Sequence, residues 1–342
     1  MSEIPQGAIR FNTDSHKLEF YAQGEWWVMS TDTPNLGNSL TDSRGDTTPN
    51  VRGILGGGVQ TPETAGTVIQ YVNVASTGSS VTFGSLSQGR FRGAGVADRT
   101  RGVFMGGGSP TRRNTISFVT IASTGDDTDF GDLVTARSEG ASICSATRGI
   151  MGGGSSPGGV VNQIDYITIP TTGNAQDFGD LIGATEQTAG VMSPTRGVIT
   201  GGSASGQITQ VITTATLGNS TEFGELQVNR TNCAAVCNAT RGVYLGGQAG
   251  GDPHATNSEY LTIATGGNTS TFGDLTTGVR GNEGFSSPVR GMSVGGRNAP
   301  SANAIDTMEY ITIPSEGDTT DFGNLTQNTR DGAGLSNGHG GL

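Results

Sequence analysis

The chain has 342 residues, 58 of them glycine, with 14% charged, a formal net charge of −11 and Lys17 as its single lysine. A surface this acidic repels phosphate backbones, which argues against nucleic-acid partners, and no apolar run is long enough for membrane insertion. So much glycine implies either disorder or a strict period, and periodicity therefore decides the fold.

The first elements lie outside any repeat. Apolar and aromatic runs at 8–11, 17–21 and 25–29 are separated by turn signals, Asn12 to His16 and Ala22 to Glu25, which predicts a three-stranded β-meander. Both tryptophans, Trp26 and Trp27, fall here, and a piece this small cannot bury them alone. Gly7, Ile9, Arg10, Phe11, Asn12, Thr13 and Asp14, followed by Leu18, Glu19, Tyr21 and Trp26, resemble the opening of many tailed-bacteriophage virion proteins. That resemblance implies an attachment element for other virion proteins, with Ile9, Phe11, Tyr21, Trp26 and Trp27 as its contact residues. It also implies a place on the surface of the phage particle, within a larger symmetric assembly. The N-terminus lacks the basic and apolar regions of a signal peptide, so export by the general secretory route is not expected. Residues 31–47, rich in Thr, Asp, Asn and Gly, read as a linker, which divides the chain into 1–30, 31–47 and 48–342.

From Arg52 onward the sequence repeats. Arg-Gly steps at Arg52, Arg101, Arg148, Arg196, Arg241 and Arg290 each run into a glycine pair, and a Phe-Gly step follows at Phe83, Phe130, Phe178, Phe223, Phe272 and Phe322. Twelve residues before each phenylalanine stands Tyr71, Phe118, Tyr166, Val211, Tyr260 or Tyr310 among β-branched neighbours, the composition of a buried strand. From each of the first five phenylalanines to the next repeat arginine is always 18 residues. Only the pieces at 59–67, 109–115, 155–163, 203–209, 248–258 and 297–307 vary in length, so these are loops. Each unit then reads as four short antiparallel strands: a small glycine-rich one, the Arg-Gly strand, the aromatic strand and the Phe-Gly strand.

Carrying the constant 18 past Phe322 reaches Gly340, where the chain stops two residues later. The segment at 332–337 looks like a first strand with no second strand after it, whereas Arg52 has no good first strand before it. The C-terminal strand is therefore expected to complete the unit opened by Arg52, giving an all-β, six-bladed β-propeller closed by its own C-terminus. The glycine pair, the loop after it and the aromatic third strand resemble a kelch blade, although Phe-Gly replaces the kelch tryptophan. The resemblance covers residues 48–342 and supports the fold rather than a partner.

Histidines are confined to His16, His254 and His339, no Ser/His/Asp or Cys/His arrangement can be assembled, and no catalytic, metal or cofactor site is expected. Cys144, Cys233 and Cys237 read as small core residues. Asp126, Asp127, Asp129 and Asp132 crowd one loop, but other repeats have Ser, Thr and Asn there, so a solvated loop is expected rather than a repeated calcium site. The six repeat arginines suggest a shared structural bond to a carbonyl or carboxylate. The loops after strands two and four emerge on one face, so a partner, a host-surface glycan or protein, should meet Arg112, Arg113, Asp252, His254 and Arg297. The expected function is a non-catalytic phage fibre, adhesin or capsid-decoration module; the alternative is a stand-alone carbohydrate- or protein-binding adaptor.

Overall fold

The computed structural model describes residues 5, 7–12, 17–22, 24–28, 51–60, 64–108, 110–203, 206–298 and 303–342. Its regular structure is all β, in two compact units, Met1–Thr41 and Asp42–Leu342. The expected linker at 31–47 and His16 lie outside the described residues.

The N-terminal unit is the predicted antiparallel meander: Ile9–Asn12, Lys17–Ala22 and Glu25–Val28. In the backbone register Ile9 lies opposite Phe20, Phe11 opposite Leu18 and Phe20 opposite Trp27. The Arg10 guanidinium sits 4.1 Å from the Trp26 ring, donates to Glu19 at 2.9 Å, and Tyr21 packs on Trp26 at 5.3 Å. The side chains of Phe11 and Trp27 lie outside the described residues.

Among the described residues the second unit contains six four-stranded antiparallel sheets. In the third, for example, Ala141–Cys144, Arg148–Gly152, Gln163–Thr168 and Gln176–Asp180 pair in sequence order. The first sheet draws its strands from both ends of the repeat: Ala333–Ser336 pairs with Arg52–Gly56, Ala333 opposite Gly56 and Leu335 opposite Ile54. Val68–Asn73 and Val81–Ser85 complete it. The expected pairing of the C-terminal segment with the Arg52 strand is therefore present.

Each sequence landmark has a steric cause. Both members of every glycine pair have a left-handed backbone, for example Gly153 at φ 66° and Gly154 at φ 109°, a region closed to most side chains. In five of the six units the phenylalanine of the Phe-Gly step packs edge-on against the aromatic of its own third strand, Val211 replacing that aromatic in the fourth; Tyr166 and Phe178 have ring centroids 6.0 Å apart. The glycine beside it makes room for the next sheet. A Cβ at Gly179 would stand 2.6 Å from the Gly218 carbonyl, and Gly179 itself has φ 146°. That approach lets Gly218 N donate to Phe178 O at 2.8 Å and Asn219 Oδ1 accept from Asp180 N at 3.0 Å. The same clasp joins every sheet to the one before, and Gly78 N to Phe322 O joins the first to the sixth. Two of the four crowded aspartates belong to it: Asp126 accepts from Ser85 N and Asp127 from Ser87 N.

The variable pieces are less loop-like than their length variation suggests. Val59–Gln60 pairs with Thr64–Ala65 and with Thr329–Arg330, Ser155–Ser156 with Gly159–Val160, Gln248–Ala249 with Arg230–Thr231, and Arg297–Asn298 with Val279–Arg280. Insertions are tolerated at the tips of these ladders, while their bases satisfy backbone groups that would otherwise be stranded.

The repeat arginines carry the expected structural bond, and it points to the neighbouring sheet. Arg148 lies 4.9 Å from the Tyr166 ring and donates through Nη1 to Thr214 O at 2.9 Å. Arg52 reaches Ile121 O, Arg101 reaches Ile169 O, Arg196 reaches Ile263 O, Arg241 reaches Ile313 O and Arg290 reaches Val74 O. Each bond runs one sheet onward, and the last returns to the first. Replacing Arg148→Ala removes both the stack and the charge-assisted bond, and should cost about 1–3 kcal/mol in a urea melt. An unchanged midpoint would contradict this role.

Candidate mouth of the repeat unit

Nine residues after each landmark phenylalanine stand Arg92, Glu139, Gln187, Asn232, Gly281 and Asp331. They occupy the turns from which the first strands start, at the same end as the variable loops. Each has a left-handed backbone: φ is 55° at Arg92, 67° at Glu139, 62° at Gln187, 51° at Asn232, 64° at Gly281 and 53° at Asp331. Five of the six are not glycine, and such strain concentrates at functional sites.

A cycle of backbone hydrogen bonds holds that strain. Glu139 N donates to Arg92 O, Gln187 N to Glu139 O, Asn232 N to Gln187 O, Gly281 N to Asn232 O and Asp331 N to Gly281 O. Arg92 N then donates to Asp331 O at 2.6 Å, which returns the cycle to its start. The first strands behind these turns lie side by side in the same order, with Ala333–Ser336 between Glu283–Ser286 and Ala94–Ala97.

A cavity of about 110 Å³ opens at this cycle, lined by all six residues together with Ser142, Asn282 and Glu283. Arg92 spans part of it, donating to Glu139 at 2.7 Å and to Asp331 at 3.2 Å, while Arg330 also holds Asp331 at 2.7 Å. Burial pulls the Arg92 guanidinium down, but Asp331 and Glu139 outweigh it and hold it above its ordinary range. Burial, and then the charge of Asp331, raise the Glu283 carboxyl well above the usual carboxylate range. The mouth thus offers a fixed cation, a carboxyl that tends to keep its proton, and amide and hydroxyl groups. Those are the donors and acceptors that fix a small polar ligand.

Of the five expected contact residues, the structure places Asp252, His254 and Arg297 in one sector and Arg112 and Arg113 in another. Arg112 is exposed and donates to Ser155 at 2.6 Å, and Arg113 meets Gln88. Asp252 accepts from the His254 backbone N–H at 2.9 Å. Arg297 lies opposite Arg280 on its ladder. Sequence reasoning missed the mouth residues, although their fixed place nine after each phenylalanine was available as a signal. Identity varies there while position does not, which hides a turn of shared geometry.

At the other end of the first strands the C-terminus folds inward. Buried His339 donates through Nε2 to Ala97 O at 2.8 Å, and its Nδ1 accepts from Gly341 N at 3.1 Å. Cys144 lies 3.3 Å from the same ring, and burial pushes its thiol up to about 12 and that of Cys233 up to about 11. Such thiols stay protonated, as core cysteines do. Burial lowers the His339 pKa to about 4, below the 6.5 of a free imidazole. The neutral ring therefore contributes stability that is complete above pH 6.5 and is lost as pH falls through the interval to 4, roughly 3 kcal/mol at most. A His339→Gln variant should lose stability less steeply than the parent between pH 6.5 and 4 in urea melts; parallel curves would show that His339 does not titrate in this way.

Among the described residues no group of three His, Cys, Asp or Glu side chains is placed to hold a metal ion. No family model matches the chain, and no curated protein matches it.

Proposed function

We propose that the repeat unit is a six-bladed, kelch-like β-propeller and that the chain is a non-catalytic surface component of a tailed-phage particle. Four sets of contacts support the propeller reading, because each passes from sheet to sheet and returns from the sixth to the first: the turn hydrogen bonds, the Phe-Gly clasps, the arginine bonds and the first-strand neighbours. In this reading the mouth cavity sits on the propeller axis, and the variable loops surround it.

The observation that carries the virion reading is the N-terminal segment. Its Gly-x-Ile-Arg-Phe-Asn-Thr-Asp opening resembles phage virion proteins, and it forms a β-meander within a compact unit separate from the repeats. The meander attaches to other virion proteins through Ile9, Phe11, Tyr21, Trp26 and Trp27, and Ile9 is 61% exposed. The propeller presents its loop face to a host-surface glycan or protein, as a fibre, an adhesin or a capsid decoration. Mass spectrometry of purified particles tests this: the chain should be found in the particle at fixed stoichiometry, and removal of residues 1–30 should abolish incorporation. Recovery from infected-cell lysate alone would sink the reading.

A second reading, a stand-alone carbohydrate- or protein-binding adaptor, is favoured by the position of the mouth cavity, which is lined entirely by the repeat unit. It predicts that a chain lacking residues 1–30 keeps its partner and that particles lack the protein.

A further inference from the structure

Arg280 and Arg297 stand directly opposite one another on a two-residue ladder, Val279–Arg280 against Arg297–Asn298. Residues so paired hold their Cβ atoms about 4.5–5.5 Å apart, and like charges at that separation repel. The arrangement is costly in any protein and unexpected in a chain with 30 acidic and 19 basic residues. Carboxylates are plentiful, yet among the described residues no hydrogen bond or ion pair engages either guanidinium, and the Nε of each is enclosed.

Other enclosed arginines in the same unit are neutralised internally. Arg137 meets Asp165 at 3.1 Å, Arg230 meets Glu259 at 3.0 Å, and Arg92 meets both Glu139 and Asp331. The acids that act on this sector, Asp331 on Arg297 and Asp252 on His254, also hold other groups. Asp331 holds Arg92 and Arg330, and Asp252 accepts from the His254 backbone.

His254 completes the cluster. Its carbonyl packs against Gly278, two residues before Arg280, and both of its ring nitrogens are enclosed without a hydrogen-bond partner. Burial, followed by the charges of Arg280 and Arg297, lowers its pKa, so the neutral ring retains one N–H donor. The sector adjoins the mouth, because Gly281, which lines that cavity, directly follows Arg280.

We propose that Arg280, Arg297 and His254 form a binding site for an oxyanion, a carboxylate, phosphate or sulfate group, carried by an acidic polysaccharide. The inference rests on the reading of the loop face as a glycan-binding surface and supplies the chemical class of that glycan. Two guanidinium forks accept an oxyanion through paired N–H donors, the imidazole N–H supplies another, and the bound charge relieves the repulsion across the ladder. The polar groups of the mouth, among them Gln187, Asn232 and Ser142, are suited to the hydroxyls of the adjoining sugar.

Calorimetric titration of the full chain with oligogalacturonate, inorganic phosphate and sulfate at low salt tests the site, using Arg280→Gln and Arg297→Gln. Arg99→Gln, an exposed arginine at the opposite end of the strands, is the control. Oligogalacturonate should bind the parent and the control equally, weaken about tenfold in each site variant, and weaken further as salt rises. The site variants should melt no lower than the parent, because each removes a like-charge contact. Binding of phosphate or sulfate without the saccharide would overturn the polysaccharide assignment. No binding of any probe, or binding unchanged in both site variants, would overturn the site itself. Adsorption of the full chain to host cells, measured in parallel, separates the two levels: adsorption without anion binding ends this inference and leaves the loop-face reading standing, whereas anion binding without adsorption does the reverse.

Discussion

Deleting residues 333–342 is expected to abolish the cooperative melt of the repeat unit. The lost segment is the whole first strand of the first sheet, and its partners are core residues of that sheet and the next. Leu335 is 3% exposed and belongs to a cluster with Ile54, Phe83 and Phe104. Ala333 and Ser336 are buried as well, Arg52 N loses the side-chain oxygen of Asn337 at 2.9 Å, and Ala97 O loses His339. Truncating a single buried leucine costs about 2–5 kcal/mol, so Leu335→Ala alone should lower the urea midpoint clearly. Removing the strand adds the ladder bonds and exposes the apolar face of Arg52–Gly56, a loss comparable with the roughly 5–15 kcal/mol that holds a typical domain. Far-ultraviolet circular dichroism during heating is the direct measurement. A permutant that places 333–342 ahead of residue 51 should regain the parental melt, because the strand returns to the same register through a different connection. A deletion variant melting within a few degrees of the full chain would mean that the C-terminal strand is an accessory.

That register was legible because it followed from a constant. The 18-residue interval fixes where a first strand must lie, and the segment at 332–337 met that condition without its partner being visible nearby in sequence. The meander was legible for a similar reason, since turn residues punctuate its aromatic runs. The role of glycine was only half legible. The pair after each Arg-Gly strand announces a left-handed turn, but the glycine of Phe-Gly is there for a loop of the following unit, and no local pattern reports a neighbour's carbonyl.

The functional end was harder to read because charge in a sequence carries no burial. Arg112 and His254 were equally plausible contact residues on the loop face, yet Arg112 already bonds Ser155 while neither ring nitrogen of His254 has a partner. Arg280 was not singled out at all. It follows Val279 in the connection after a Phe-Gly strand, where the other units have Phe91, Ser138, Glu186, Thr231 and Arg330, and it is the ladder with Arg297 that sets it apart. Mouth residues escaped for the opposite reason: a strained turn tolerates Arg, Glu, Gln, Asn, Gly or Asp so long as the hydrogen-bond cycle holds it.

The second large effect is expected at a residue that resembles a surface aspartate in sequence. Asp165 and Arg137 are both 0% exposed at their side chains and meet at 3.1 Å, where the connection from the second sheet enters the third. Arg137 also donates to Met151 O at 2.9 Å and Gln163 O at 3.1 Å, so its guanidinium is tied to two strands of the third sheet. Burial pushes the carboxyl up and the guanidinium down, and each is opposed by the charge of the other. Asp165→Ala leaves the arginine charge enclosed without a counter-ion and should cost about 3–5 kcal/mol in urea denaturation, more than loss of any one exposed pair. Replacing both partners, Arg137→Met with Asp165→Leu, removes the charges together and should restore most of that loss, because a buried pair rarely outperforms apolar packing. The comparison separates two roles. If the double variant recovers stability and melts in one step, the pair contributes little net energy and its single-partner penalty is desolvation. If it stays as unstable as Asp165→Ala, the carbonyl bonds of Arg137 to the third sheet are what hold the two sheets in register.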